Sequence, residues 1–173
     1  MIERFQGDEG RARLVRSLLE HRLVANEAEL AEQLIGIGEL VDVPAGEAFI
    51  RQNEFATDVF FIVAGSAEVR VNNKVIANRF PGEHVGEMSA IEPIHPRAAT
   101  LIAREPTVLL KVSEAAFTAT ANRFPQVWRR VAASLARRLH QRNHLVTAQR
   151  ERVRVFIMSS VEALPIADLI IQE

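Results

Sequence analysis

A glycine, a carboxylate and an arginine that lie close together in the sequence could hold an anion. Residues 86–90 read Gly-Glu-Met-Ser-Ala, and residues 96–98 read Pro-Arg-Ala. A short helical turn that begins at Gly86 and Glu87 would direct free backbone N–H groups at an anion, and glycine lets the backbone approach it closely. The planar guanidinium of Arg97 can hold two oxygens of a phosphate diester together, which a lysine cannot do.

The carboxylate of Glu87 adds a second kind of contact. It lies ten residues before Arg97 and can accept a hydrogen bond from a sugar hydroxyl such as a ribose 2′-OH. Each residue alone is weak, because an arginine after a proline is usually a surface residue and a glutamate after a glycine usually belongs to a turn. Inside a barrel of strands, the combination predicts a site that contacts a phosphate and a ribose from opposite sides of one loop.

Short strand patterns surround these residues. Residues 58–63 form a short run that is apolar after Asp58 and rich in strand formers, and residues 67–71 alternate between apolar and polar. Asn72-Asn73 then predicts a hairpin turn. Several short strands separated by glycine turns predict an α+β fold, with a β-roll or jelly-roll barrel over about residues 40–112.

Helical patterns flank the barrel on both sides. Leucines at three- and four-residue spacing predict helix over residues 9–35. Ser113 can cap a further helix, and Pro125 divides that region into two helices, the second of them from about 126 to 149. The predicted first domain is therefore 1–150, with N-terminal helices, the barrel and a long C-terminal helix.

The long helix has an unusual distribution of charged and apolar residues. No Asp or Glu occurs from Ala115 to Arg150, and this basic face is either solvated or packs against acidic partners. Apolar residues recur along the helix at Trp128, Ala132, Leu135, Leu139 and Val146. Such a narrow seam predicts a homodimer through residues 126–149. Packing of the same seam on the barrel of its own chain is the alternative.

Composition restricts the other classes of function. The chain has 21 basic and 22 acidic residues, so a uniformly basic surface for nucleic acid is not expected. No apolar run reaches the roughly 20 residues of a membrane span, and the N-terminus is no signal peptide. The absence of cysteine excludes disulfides and fits the cytoplasm. His140 and His144 could share a zinc ion, but no third ligand is near in sequence and no metal site is predicted.

The C-terminal segment begins a different pattern. Residues 153–158 read as a strand, and the residues after them read as a helix, which is the opening unit of an α/β domain. One strand and one helix cannot bury their own apolar faces. We therefore expect residues 151–173 to be a linker and the first unit of a truncated second domain.

The stretch from Pro81 to Thr100 resembles the phosphate-binding cassette of the cyclic-nucleotide-binding family. That family includes catabolite activator proteins, cyclic-nucleotide-dependent kinase regulators and gated channels. The resemblance covers about residues 25–148, and it implies that Arg97 binds the cyclic phosphate, that Glu87 binds the ribose hydroxyl and that the long helix covers the base as a lid. Backbone contacts from neighbouring residues complete the implied site, which consists of Gly86, Glu87, Met88, Ser89, Arg97 and Ala98.

Departures from the family pattern bear on the base of the ligand. Val85 stands where the family often has Phe, and the loop over 87–97 looks one residue longer. Ala98 stands where guanine-selective members often have Thr, which disfavours cyclic GMP. The lid helix offers Arg, Asn and Gln but no carboxylate, so it suits the carbonyls of uracil better than the amine of cytosine. We expect cyclic UMP to bind tightest, cyclic CMP second and cyclic AMP more weakly. Base contacts from the barrel are the alternative, from Asp58, Glu68 and Glu92.

Residues 153–160 are similar to the first strand of a TIR-like domain. A cyclic-nucleotide domain followed by a TIR domain resembles the effectors of Pycsar antiphage defence. That resemblance implies a cyclic pyrimidine mononucleotide as ligand, no other cofactor, and assembly of a TIR domain that hydrolyses NAD. It implies no catalytic residue in this chain. The alternatives are a cyclic AMP-binding transcription regulator, which would need a helix-turn-helix where residues 153–173 read strand then helix, and a channel regulator, which would need a membrane segment.

Overall fold

The structure is a computed structural model that describes the backbone of residues 1–150 and the side chains of residues 1–143. The chain divides into two compact units, Met1–Ala136 and Arg137–Glu173. The first unit contains the barrel and the cassette. The predicted linker and TIR-like unit, residues 151–173, lie outside the described residues, so the predicted domain boundary stays a prediction.

Helices precede the barrel, as the leucine spacing predicts, but they are separated by a break. They are a 3₁₀ helix Ile2–Phe5, α1 Gly7–Leu19 and α2 Ala28–Ile37. The continuous helical pattern expected over 9–35 is interrupted at Ala25 and Asn26, where φ is 51° and 64°. This left-handed backbone cannot continue a right-handed helix. The Arg130 guanidinium stabilises this turn by donating hydrogen bonds to the carbonyls of Leu23 and Val24, the two residues before Ala25.

Eight antiparallel strands form the barrel in the described part of the chain. They are β1 Glu39–Val43, β2 Ala48–Ile50, β3 Val59–Ala64, β4 Ala67–Val71, β5 Lys74–Arg79, β6 His84–Val85, β7 Thr100–Ala103 and β8 Thr107–Val112. One four-stranded sheet has the order β1-β8-β3-β6 and the other has the order β2-β7-β4-β5. The predicted α+β barrel over about 40–112 is confirmed.

The hairpin between β4 and β5 turns where the sequence predicts it. Val71 pairs with Lys74, and Asn72 and Asn73 form the two-residue loop between them. Their φ angles are 48° and 66°. Positive φ at both central positions matches the right-handed twist of the strands, and asparagine tolerates this conformation better than most residues.

Strand β3 is buried on both faces, which explains its unbroken apolar sequence. Phe60 and Ile62 point into the barrel, where they join the apolar cluster between the two sheets. Phe61 and Val63 point the other way and join a second cluster with the helices. The sheet β1-β8-β3-β6, whose strand β6 leads into the cassette, is therefore covered by helices on its outer side.

One further helix lies within the cassette, and two follow the barrel. They are α3 Glu87–Ile91, α4 Glu114–Arg123 and α5 Gln126–Arg150. The Ser113 hydroxyl accepts a hydrogen bond from the N–H of Ala116 at 3.4 Å, so the predicted cap is present. Pro125 separates α4 from α5, as predicted. Within residues 1–150, no helix is both long and apolar enough to cross a bilayer.

The first turns of α5 use their apolar side chains inside their own chain. Val127 and Val131 are buried in the helix-side cluster, and Trp128 and Leu135 pack partly against it. Ala132 is exposed. Of the predicted seam, Trp128 and Leu135 therefore pack partly on their own chain, and the predicted dimer stays a prediction.

Candidate ligand-binding site

Gly86 is the turn at which the cassette begins, between β6 and α3. Its φ is 89° and its ψ is −4°, a left-handed conformation that favours glycine. A Cβ added there would lie 2.6 Å from the carbonyl oxygen of Asp58 and 2.7 Å from Nη1 of Arg97. Any other residue would therefore strain the backbone and collide with the arginine. The predicted helical turn follows as α3.

The Arg97 side chain is buried and held by main-chain oxygens. Its residue is 3% exposed. Nη1 donates to the carbonyl of Gly86 at 2.8 Å, and Nη2 donates to the carbonyl of Asp58 at 2.7 Å. Nε is buried with no hydrogen-bond partner among the described residues. The fold therefore orients the guanidinium, and its Nε–H makes no hydrogen bond within residues 1–143.

The charge of Arg97 is costly where it lies. Burial lowers the pKa of the guanidinium below its usual value, and the carboxylates of Asp58, Glu87 and Glu54 act in the opposite direction. Among residues 1–143 no carboxylate forms an ion pair with it within 4 Å, and Asp58 pairs instead with Lys111 at 3.4 Å. A buried cation without a direct counter-ion is a place where an anionic ligand repays the cost of desolvation.

The backbone at Arg97 is fixed as firmly as its side chain. The N–H of Arg97 donates to the carbonyl of Glu54 at 2.9 Å, and the N–H of Asn53 donates to the carbonyl of Arg97 at 2.9 Å. This reciprocal pair ties the cassette to the loop between β2 and β3. The same loop ends at Asp58, whose carbonyl receives the guanidinium.

The other predicted site residues divide into buried and exposed positions. Glu87 begins α3, is 2% exposed and is close enough to influence the charge of Arg97. Ser89 is also buried. The side chains of Met88 and Ala98 are exposed, and the backbone contacts predicted for these two residues stay a prediction. The structure therefore brings Gly86, Glu87 and Arg97 together.

The three barrel carboxylates considered for base contacts are engaged or exposed. Glu68 pairs with Arg70 at 2.5 Å, on the face of β4 opposite the buried Val69. Asp58 pairs with Lys111, and Glu92 is exposed. The barrel interior between the sheets is apolar. Among the residues described, no three His, Asp or Glu side chains could share a metal ion, and the side chain of His144 lies outside them.

Sequence reasoning missed the main-chain partners of Arg97 and a pair of buried histidines. The carbonyls of Gly86 and Asp58 have no signature in residue type, because every residue carries one. His21 and His84 are each 1% exposed, with ring centroids 5.8 Å apart. His84 lies two residues before Gly86 on β6, so its place in the strand was the only available signal.

Comparison with known proteins agrees with this geometry. Residues 40–124 match the cyclic nucleotide-binding domain family. Over its whole length the chain is 70% identical to the Pycsar effector protein XpPycTIR of Xanthomonas perforans. Over 98% of its length it is 41% identical to the Pycsar effector protein BcPycTIR of Burkholderia cepacia. The chain covers 57% and 56% of these two proteins, just over half of each.

A solved structure has the same fold. The catabolite activator protein of Thermus thermophilus is 25% identical and matches with a TM-score of 0.65, over 74% of this chain and 62% of that one. The chain therefore has sequence relatives among the Pycsar effector proteins and a structural relative in a catabolite activator protein. The chain belongs to the cyclic nucleotide-binding domain family and is a homologue of the Pycsar effector proteins.

Proposed function

We propose that residues 1–150 are a cytoplasmic receptor domain of an antiphage effector, and that they bind a cyclic pyrimidine mononucleotide at the cassette. The observation that carries the proposal is the buried Arg97 guanidinium, which two carbonyls orient and no carboxylate neutralises by direct contact among the described residues. The relatives that are Pycsar effector proteins support the setting in defence.

A cyclic phosphate diester suits the charge of this site. It carries one negative charge on two free oxygens, which one planar guanidinium can match. A phosphate monoester carries close to two negative charges at neutral pH. The carboxylates of Asp58, Glu87 and Glu54 near Arg97 would oppose that second charge. In this proposed arrangement the Glu87 carboxylate accepts a hydrogen bond from the ribose 2′-OH, and the backbone at Gly86 lies beside the phosphate.

The base proposal is that uracil binds more tightly than cytosine. Cytosine presents an exocyclic amine, which a carboxylate accepts best, whereas uracil presents two carbonyls and one N–H. The sequence from Ala115 to Arg150, which includes α5, has no carboxylate. Glu68 and Asp58 of the barrel are already paired with Arg70 and Lys111. The lid helix therefore offers the base hydrogen-bond donors and side-chain amides but no carboxylate.

Calorimetric titration with cyclic UMP, cyclic CMP, cyclic AMP and cyclic GMP tests both parts. We expect cyclic UMP to bind tightest, cyclic CMP second and cyclic AMP more weakly, and the matched control 5′-UMP to bind at least about tenfold more weakly than cyclic UMP. Binding of cyclic CMP or cyclic AMP about tenfold tighter than cyclic UMP would contradict the base proposal alone. Failure of every cyclic nucleotide to bind would contradict the proposal that residues 1–150 are a receptor domain.

The output that we propose for the whole protein is hydrolysis of NAD by a TIR domain that nucleotide binding activates. It rests on the similarity of residues 153–160 to a TIR strand and on relatives that are longer than this chain. Cyclic UMP should switch on NAD consumption by the full-length protein, and Arg97→Ala should abolish that response. NAD consumption that is the same with and without cyclic UMP would contradict it.

Homodimerisation through helix 126–149 stays part of the proposal, with higher assembly through the TIR domain. Trp128 and Leu135 pack only partly on their own chain, which leaves some of their surface for a partner. Light scattering should show a dimer at high micromolar concentration. A monomer both with and without cyclic nucleotide would reject the dimer.

A further inference from the structure

Gln52 makes hydrogen bonds in two directions from the loop between β2 and β3. Its side-chain oxygen accepts from the N–H of Asn72 at 2.9 Å, and its side-chain Nε2 donates to Oδ1 of Asn72 at 3.1 Å. Its backbone N–H donates to the hydroxyl of Thr100 at 2.9 Å. Gln52 therefore connects the β4–β5 hairpin turn to β7, the strand that follows the cassette arginine.

The residues next to Gln52 are those that hold the backbone of Arg97. Asn53 donates to the Arg97 carbonyl, and the carbonyl of Glu54 accepts from the Arg97 N–H, both at 2.9 Å. Asn53 has a φ of 70°, a left-handed conformation that asparagine adopts more readily than most residues and that contacts with its neighbours can support. A contact on the adjacent residue is placed to supply that support.

We propose that Gln52 is a positioning residue for Arg97, and that the β4–β5 turn supports the ligand site through the Gln52–Asn72 amide pair. This inference rests on the proposed role of Arg97 in binding the phosphate. The path runs from the Asn72 turn through Gln52 to the Asn53–Glu54 segment, and from there to both backbone groups of Arg97. Loosening the first link widens the range of positions that the guanidinium samples, which weakens a bidentate contact.

Four variants distinguish the effect of the Gln52–Asn72 hydrogen bonds from the effect of the β4–β5 turn itself. Gln52→Leu removes both amide groups at similar size, and Gln52→Glu keeps the oxygen that accepts from Asn72 but loses the donor. Asn72→Gly keeps the positive φ and the N–H of the turn, and it removes only the side-chain acceptor. Asn73→Gly is the matched control, because Asn73 has a φ of 66° in the same turn and its side chain makes no hydrogen bond among residues 1–143.

Amide hydrogen exchange, measured by NMR on the protein without added nucleotide, reads the positioning directly. Gln52→Leu should speed exchange at the amides of Asn53 and Arg97 by about fivefold or more relative to the amides of β8. Gln52→Glu and Asn72→Gly should have intermediate effects, and Asn73→Gly should match the wild type. The affinity for cyclic UMP should fall in the same order, by about two- to tenfold for Gln52→Leu.

The exchange measurement and the titration fail separately. If the wild type binds no cyclic nucleotide, the proposed function fails, and the exchange rates still decide whether Gln52 holds Arg97. If Gln52→Leu leaves the Asn53 and Arg97 amides unchanged, or speeds exchange equally throughout the barrel, the positioning role is overturned. Local faster exchange with cyclic UMP affinity equal to that of the wild type also overturns it, because the positioning would then not matter to the ligand.

Discussion

Arg130 and Arg97 are two arginines of the same unit that both donate to pairs of main-chain carbonyls. Arg130 lies on α5 and donates to the carbonyls of Leu23 at 2.8 Å and Val24 at 3.1 Å. It also pairs with the carboxylate of Glu27, and its side chain is about one quarter exposed. Its charge and its hydrogen bonds are therefore used within the fold, where they join α5 to the segment between α1 and α2.

Arg97 is more deeply buried than Arg130, and no carboxylate among residues 1–143 pairs with it directly. It donates to the carbonyls of Gly86 and Asp58, while its Nε has no partner among residues 1–143. Under the proposed function, the contrast shows how a ligand-binding arginine differs from a structural one when the fold orients both. Carbonyl partners orient a guanidinium, and the presence or absence of a carboxylate partner decides whether its charge remains for a ligand.

The largest expected effect comes from Arg97→Ala, which removes the arginine assigned to the ligand. We expect a loss of about 2–5 kcal/mol of binding free energy, or about 30-fold to several-thousand-fold in affinity for cyclic UMP. The sequence alone predicts an intact fold. The bonds to Gly86 and Asp58 instead predict that the free energy of unfolding also falls, by about 1–3 kcal/mol.

Calorimetry and chemical denaturation measure the two losses, and Arg97→Lys is the control. Lysine keeps the charge but not the planar fork, so its affinity should fall between those of the wild type and Arg97→Ala. Binding by Arg97→Ala within about threefold of the wild type would end the phosphate assignment.

Glu87→Ala should have the next largest effect on binding. It removes hydrogen bonding to a neutral hydroxyl, so the expected cost is about 1–3 kcal/mol in calorimetric titrations with cyclic UMP. Glu87→Gln keeps an oxygen that can accept the hydroxyl and should cost less. Removal of the Glu87 charge also acts on the phosphate, so the comparison is between ligands: Glu87→Gln should cost less affinity for 2′-deoxy cyclic UMP than for cyclic UMP. An equal change for the two ligands would refute the ribose assignment.

Arg130→Met should show the opposite pattern to Arg97→Ala. It leaves the carbonyls of Leu23 and Val24 and the carboxylate of Glu27 without their partner, so the free energy of unfolding should fall by about 1–2 kcal/mol. The affinity for cyclic UMP should stay within about threefold. Arg129→Met is the matched control, because Arg129 is exposed and should change neither quantity. A large loss of affinity for cyclic UMP in Arg130→Met would contradict the assignment of a purely structural role to Arg130.

The smallest expected effect is a dependence on pH. Partial burial acts to raise the pKa of Glu27, but hydrogen bonds from Arg130 and Gln126 outweigh it, and the pKa lies below its usual 4.5. A carboxyl with a lowered folded pKa stabilises the fold above its unfolded pKa, and this contribution is lost as the pH falls through the folded value.

The stability difference between the wild type and Arg130→Met should therefore narrow by less than about 1 kcal/mol between pH 7 and about pH 3. Denaturation at several pH values measures the difference. A gap that stays constant or widens towards low pH would show that Arg130 does not lower the pKa of Glu27.

Local features were predictable and long-range ones were not. The hairpin at Asn72 follows from residue types that tolerate positive φ, and the apolar run of β3 follows from burial on both faces. The break at Ala25 was not predictable, because alanine has no preference for that conformation. It occurs beside carbonyls held by Arg130, more than a hundred residues away in sequence.

The site divides in the same way. Gly86, Glu87 and Arg97 could be selected from their types and spacing, because their combination inside a barrel-like strand pattern is specific although each residue alone is weak. The partners that orient Arg97 are main-chain carbonyls, which any sequence provides. The role of Gln52 depends on a side chain reaching another hairpin, and nothing in its neighbours along the chain indicates that reach.

The left-handed turn at Gly86 limits how this protein could be made into a sensor for other nucleotides. An added methyl group there would collide with both the Asp58 carbonyl and the guanidinium of Arg97. Position 86, at the end of the site where we propose that the phosphate binds, therefore does not tolerate substitution, and a library should leave it untouched. Diversity introduced on the base side alone would change which nucleotide is detected while the charge recognition common to all of them is kept.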